Sequence, residues 1–131
     1  MNVLWKDNRT EYTVVIPADA TPTERHAADE LARFIGRGLA VRPDDGSGLD
    51  ETACVLSLGN TSILRDAAVD VSGVTADGYR IVTRGRTVVL TAKNQSGILN
   101  AAYGFMRAVG GFKTYTFDVF GTSDAPEMTF D

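Results

Sequence analysis

The segment KNQSGILNAAYGFMRAVGG, residues 93–111, constrains this chain more than any other stretch. Asn94 or Ser96 can cap a helix start, because a short polar side chain accepts from the first free N–H groups. Gly110 and Gly111 can end the helix through a left-handed residue. Between these signals, Ile98, Ala102, Phe105, Met106 and Val109 fall on one stripe at helical spacing. Leu99, Ala101, Tyr103 and Ala108 lie off that stripe, and only Asn100 and Arg107, seven apart with Gly104 between them, are polar. A helix apolar nearly all round is covered on more than one side. A single sheet face supplies one cover. The second is either another helix on the same sheet face or a body outside the chain.

The other elements follow from local patterns. YTVVIP is a short apolar strand over residues 12–16, stopped by Pro17, which has no N–H for a ladder. Thr21-Pro22-Thr23-Glu24 reads as a capping box with proline at the first helical position. The helix it opens places Ala27, Ala28, Leu31, Phe34 and Ile35 on one side, with Arg25, His26, Asp29, Glu30, Arg33 and Arg37 opposite, so it buries one face. After Gly36 and Gly38, LAV fits a brief strand and RPDDGSGLDE a turn-rich polar loop. ACVLSLG runs apolar without alternation apart from Ser57, as a strand in the middle of a sheet does. NTSILRDAAV reads as a short helical turn or loop. GYRIVTRGRTVVLTA is a hairpin turning at Arg84-Gly85-Arg86. It puts Tyr79, Ile81, Val88 and Leu90 on a greasy face and Arg80, Arg84, Thr87 and Thr91 on a wetter one. FKTYTFDVFG offers a last strand, and residues 119–131 an exit segment.

Composition removes several functions. With 131 residues, 44% hydrophobic and 23% charged, the chain suffices for one domain with a real core. Its formal net charge of -4 argues against nucleic acid or an anionic membrane as partner, since phosphates call for clustered Lys and Arg. No apolar run is long enough to span a bilayer, and MNVLWKDNRTEY has no leader core. The expectation is a cytoplasmic chain, or a secreted or periplasmic one from which a leader has been removed. Asn8, Asn60 and Asn94 begin N-glycosylation triplets, which matter only for a chain secreted by a eukaryote. The single cysteine, Cys54, has no internal partner and sits in an apolar run, which predicts a buried, inert thiol.

Chemistry-bearing patterns are sparse. His26 stands four residues before Glu30 on the polar side of its helix, short of the three or four ligands zinc requires. LGNTS follows a strand but lacks the second glycine and the lysine of a phosphate loop, so it reads as a structural turn. Asp44, Asp45, Asp50 and Glu51 flank GSG without calcium-loop spacing. No catalytic, cofactor-binding or metal-ligating residue is therefore assigned, and an enzyme acting alone is not expected.

The order of elements resembles the small domain that precedes the catalytic barrel in several glycoside hydrolases: β-N-acetylhexosaminidases, α-glucuronidases, α-N-acetylglucosaminidases and O-GlcNAc hydrolases. The resemblance rests on Leu58-Gly59-Asn60-Thr61 ending a strand, on Asp77-Gly78-Tyr79-Arg80-Ile81 opening the hairpin, and on residues 97–106 in the following helix. It covers about residues 12–118. It implies an α+β sandwich, a mixed and mostly antiparallel sheet with two helices on one face. It further implies a single non-catalytic accessory domain over residues 1–131, with its core at about 12–118. Its partner would be a downstream catalytic domain of the same polypeptide, docked through Leu99, Tyr103 and Met106, a patch that otherwise favours a homo-oligomer. Where the family has Gly-x-Arg-Trp after the helix, this chain has Gly111-Phe112-Lys113-Thr114-Tyr115, which leaves the sugar open. The alternative is a free-standing glycan- or protein-binding module. Its sugar-stacking rings would be Trp5 and Tyr115 first, then Tyr12 and Phe117.

Overall fold

A computed structural model describes residues 2–110 and 127–130. Along the chain run β1 (Asn2–Lys6), β2 (Thr13–Ile16), α1 (Pro22–Ile35), β3 (Ala40–Pro43), β4 (Val55–Leu58), α2 (Ser62–Ala67), β5 (Tyr79–Arg84), β6 (Thr87–Ala92), α3 (Gln95–Gly110) and β7 (Glu127–Phe130). The capping box is formed as the sequence predicts: Thr21 accepts from the N–H of Glu24 at 3.1 Å, and the Glu24 carboxylate accepts from the N–H of Thr21 at 2.9 Å. The hairpin turns at Gly85, whose φ of 63° is open to glycine and costly for most residues.

Among the described residues five strands form a mixed sheet in the order β3-β2-β4-β6-β5, with α1 and α3 together on one face. The mixed α+β layering is as expected, but the balance of pairings is not. Among the described residues β2 runs parallel to β3 and to β4, and β4 runs parallel to β6, whereas the β5–β6 hairpin is antiparallel. The cause is connectivity. A helix between two strands returns the chain to the starting edge, so the next strand points the same way, and α1 does this between β2 and β3. A second, two-stranded sheet pairs β1 antiparallel with β7, Asn2 opposite Phe130 and Lys6 opposite Glu127. Residues 127–130 thus belong to the fold rather than to an exit segment, and the core begins at Leu4 and Trp5 rather than near residue 12. The strand expected within residues 112–121 lies outside the described residues, as do Tyr115 and Phe117.

Period-two alternation divides the strands between two cores. Val14, Ile16, Leu56, Leu58, Val88 and Leu90 point to α1 and α3, while Val15, Val55 and Val89 point the other way, to Ile63 and Ala67 of α2. All four residues of β4 are buried, which is why its sequence shows no alternation. The face expected to be wet is therefore covered over β4 and β6, where Thr87 and Thr91 are buried, and stays wet at the β5 edge, where Arg80 is exposed and Arg84 half-buried. Under the cover the hydroxyls of Ser57 and Thr61 lie 2.7 Å apart, and Thr87 Oγ1 donates to the carbonyls of Asp50 and Ala53, each at 2.9 Å.

The question posed by α3 has an internal answer. The sheet covers one side of it and α1 a second, through Ala27, Ala28, Leu31 and Phe34 in the same core as Ile98, Ala101, Ala102 and Phe105. The patch predicted from Leu99, Tyr103 and Met106 does not form: Met106 is in the core, Leu99 is half-buried, and only Tyr103 is well exposed. Met106 completes the stripe that faces inward, a consequence of its i+4 relation to Ala102.

Two glycines let α3 approach the hairpin. A Cβ on Gly97 would collide with the carbonyl oxygen of Gly78, whereas one on Gly104 would meet only the ring of Tyr79, a half-exposed side chain. Backbone cannot yield cheaply and a surface ring can. Gly97→Ala is expected to cost about 1–3 kcal/mol through overpacking. Gly104→Ala should stay within about 1 kcal/mol of the parent, because the helix-propensity gain offsets the ring's displacement. Urea midpoints at unchanged slope read both values.

Candidate functional site

The parallel strands β2, β4 and β6 end at one edge of the sheet, and α1, α2 and α3 start there. From β2 the chain leaves through α1 toward β3; from the neighbouring β4 it leaves through α2 in the opposite direction along the sheet. Where connections diverge this way, the helix starts splay apart and leave a crevice at the carboxyl ends of the strands. This chain has one there, a cleft of about 290 Å³ bordered by Glu24, Gly59, Asn60 and the 91–95 turn, with Leu64, Val69, Val71 and Ile98 forming its apolar side.

Glu24 reaches this cleft because it is the third residue of α1. It is only 3% exposed, and its Oε1 is held by the N–H of Thr21. Its Oε2 lies against Gly59, where a Cβ would strike it. Gly59 is thus needed twice, for that approach and for its φ of +84°. The hydroxyl of Thr21 donates to Gln95 Oε1 at 2.7 Å, tying the start of α1 to that of α3. LGNTS is a structural turn, as expected: Gly59 donates its N–H to the Leu90 carbonyl, and Thr61 caps α2 by accepting from the N–H of Leu64 at 3.1 Å. The cleft itself was not legible in the sequence. The capping box reveals Glu24 only as a structural group, and the convergence of three helix starts depends on strand order.

The residues singled out from sequence lie elsewhere. Trp5 is 1% exposed, with its ring edge-on to Phe34 at 5.8 Å and the Arg37 guanidinium 4.0 Å from its centroid. It is a core anchor and offers no face to a sugar, because β1 turns it inward. Tyr12 is buried too, and its hydroxyl donates to the Arg86 carbonyl at 2.6 Å. Burial, reinforced by Cys54 and partly opposed by Arg86, pushes that phenol far above its ordinary range. Cys54 is half-buried rather than enclosed. His26 lies on the outer side of α1, 3.7 Å from Glu30, which also accepts from Arg33 at 2.6 Å. Among the described residues no group of three or more His, Cys, Asp or Glu could hold a metal ion, and no helix is long and apolar enough to cross a membrane.

The acidic loop is an anchor for α2. Asp44 accepts from the N–H and the hydroxyl of Ser62, both at 2.7 Å, and from the N–H of Gly46 at 3.1 Å. Asp66 accepts from the N–H of Leu49 at 3.0 Å. Desolvation pushes the Asp44 carboxyl up, but these donors and the charge of Arg65 prevail and hold it below the usual carboxylate range. A depressed folded value means stability that is fully present above the unfolded pKa of about 4 and lost as pH falls through the folded one. Asp44→Ala should therefore cost about 1 kcal/mol at neutral pH, the size of a lost helix cap. Its deficit against the parent should shrink below about pH 4, which denaturation at stepped pH measures.

No protein-family model, curated protein or solved structure matches this chain.

Proposed function

We propose that this chain is a non-catalytic accessory domain of a glycoside hydrolase, supporting a catalytic barrel borne by the same polypeptide. The observation that carries this reading is the contact between the two segments on which the resemblance rests. Gly78 abuts Gly97, Tyr79 lies over Gly104, and Asp77 accepts from Ser96 Oγ at 2.8 Å and, through its carbonyl, from Asn100 Nδ2 at 3.1 Å. Those residues lock the hairpin onto α3 and so do scaffold work, the role the reading requires of them.

In this role the domain acts by shape. The side of α3 that remains open, Tyr103 with Leu99 and the neighbouring Tyr79, gives a barrel an aromatic, partly polar surface to dock on. Interfaces inside one chain are commonly of that mixed character.

The test reads the gene past the codon for Asp131 and assays both the whole product and residues 1–131 on aryl glycosides. The whole product should hydrolyse one of them and residues 1–131 none. Tyr103→Asp should destabilise the whole product by about 1 kcal/mol or more while leaving residues 1–131 unchanged, since a surface substitution alone has little effect. A stop codon directly after Asp131, or hydrolysis by residues 1–131, would overturn the proposal.

A further inference from the structure

We infer that the cleft at the carboxyl ends of β2, β4 and β6 binds a small zwitterion, an α-amino acid with an aliphatic side chain. Three walls of different chemistry meet there. The first is the carboxylate of Glu24, more than nine-tenths buried, with Oε1 committed to Thr21 and Oε2 lacking a donor among the described residues. Glu24 borders the cleft, so that oxygen can take a donor from a bound molecule. An ammonium group is the donor that answers it best, because the hydrogen bond is charge-assisted on both sides.

The second wall is positive. Lys93 stands at the cleft rim just before α3, a helix of 16 residues; the N–H of its third residue, Gly97, donates to the Asn94 carbonyl, and the two before it have no acceptor within the helix. Aligned peptide dipoles make that end favourable for an anion, and a ligand carboxylate set there would face Lys93 as well. The third wall is apolar, formed by Leu64, Val69 and Val71 on the α2 side and Ile98 on α3. A volume of about 290 Å³ sits at the lower end of small-molecule sites, which suits a single amino acid.

Charge excludes the nearest rivals. Phosphate would satisfy the α3 end but would be repelled by Glu24; a simple amine would leave Lys93 opposed; a sugar would leave both charges without a counterion. The inference uses residues 1–131 alone and stands apart from the accessory-domain reading, so either can fail without the other.

The experiment titrates ¹⁵N-labelled protein with leucine, N-acetylleucine, leucinamide and glucose at neutral pH, following backbone amide shifts. Leucine should move the amides of Gly59, Asn60 and Gln95 saturably. N-acetylleucine, without the ammonium, and leucinamide, without the carboxylate, should bind at least about tenfold more weakly, as loss of a charge-assisted bond implies. Glu24→Gln keeps an oxygen for Thr21 but loses the charge, and should weaken leucine by a similar factor. Lys93→Met, at an exposed position outside the core, should do the same with the fold intact, and it decides the matter if Glu24→Gln fails to fold. Absence of saturable shifts with leucine, equal binding of N-acetylleucine or glucose, or unchanged leucine binding in Lys93→Met would overturn the inference.

Discussion

The burial of β4 on both faces is the constraint from which the rest of the fold follows. Its four residues are all enclosed, so each side of the sheet has to be roofed by something the chain itself supplies. On one side the roof is α1 and α3; on the other it is α2, a helix of six residues that could not hold its place unaided. The Asp44–Ser62 and Asp66–Leu49 bonds supply what its length cannot, since they fasten both ends of the helix to the 44–50 loop. An acidic, glycine-rich stretch that looks like solvent-facing filler in sequence is thereby part of how the central strand is kept dry.

Local signals in the sequence suffice where a single element contains its own evidence. The capping box at Thr21, the turn at Gly85 and the unbroken apolar run of β4 each depend on neighbours a few residues away, and each is found where the pattern puts it. Strand direction is different in kind. Side-chain alternation says which residues share a face and nothing about which way the strand runs, so the parallel character of β2, β4 and β6 was out of reach until the pairings were known. Trp5 failed for a related reason. An aromatic ring near an irregular, charged segment suits a binding platform or a core equally well, and the choice shows only in the contacts its ring makes with Phe34 and Arg37, far from it in sequence.

Glu24 illustrates how a fold-forming residue can acquire a second use. One oxygen closes the helix cap, a local duty the sequence announces; the other is placed by Gly59, on a different strand's exit turn. The hydrogen bond that closes the cap also fixes the carboxylate, and the close approach of Gly59 holds the second oxygen in place. Preorganisation of this sort costs nothing beyond what the helix start already requires.

The pairing of Asn2 with Phe130 has a topological consequence. Chain entering the domain at β1 and chain leaving it at β7 pass through nearly the same point in space, so the whole unit can sit in a surface loop of another fold while separating the loop's two stems by little more than the width of a strand pair. An architecture closed in this way is portable: it can be moved between hosts, or its ends joined and reopened elsewhere, without disturbing the sheet that β4 organises.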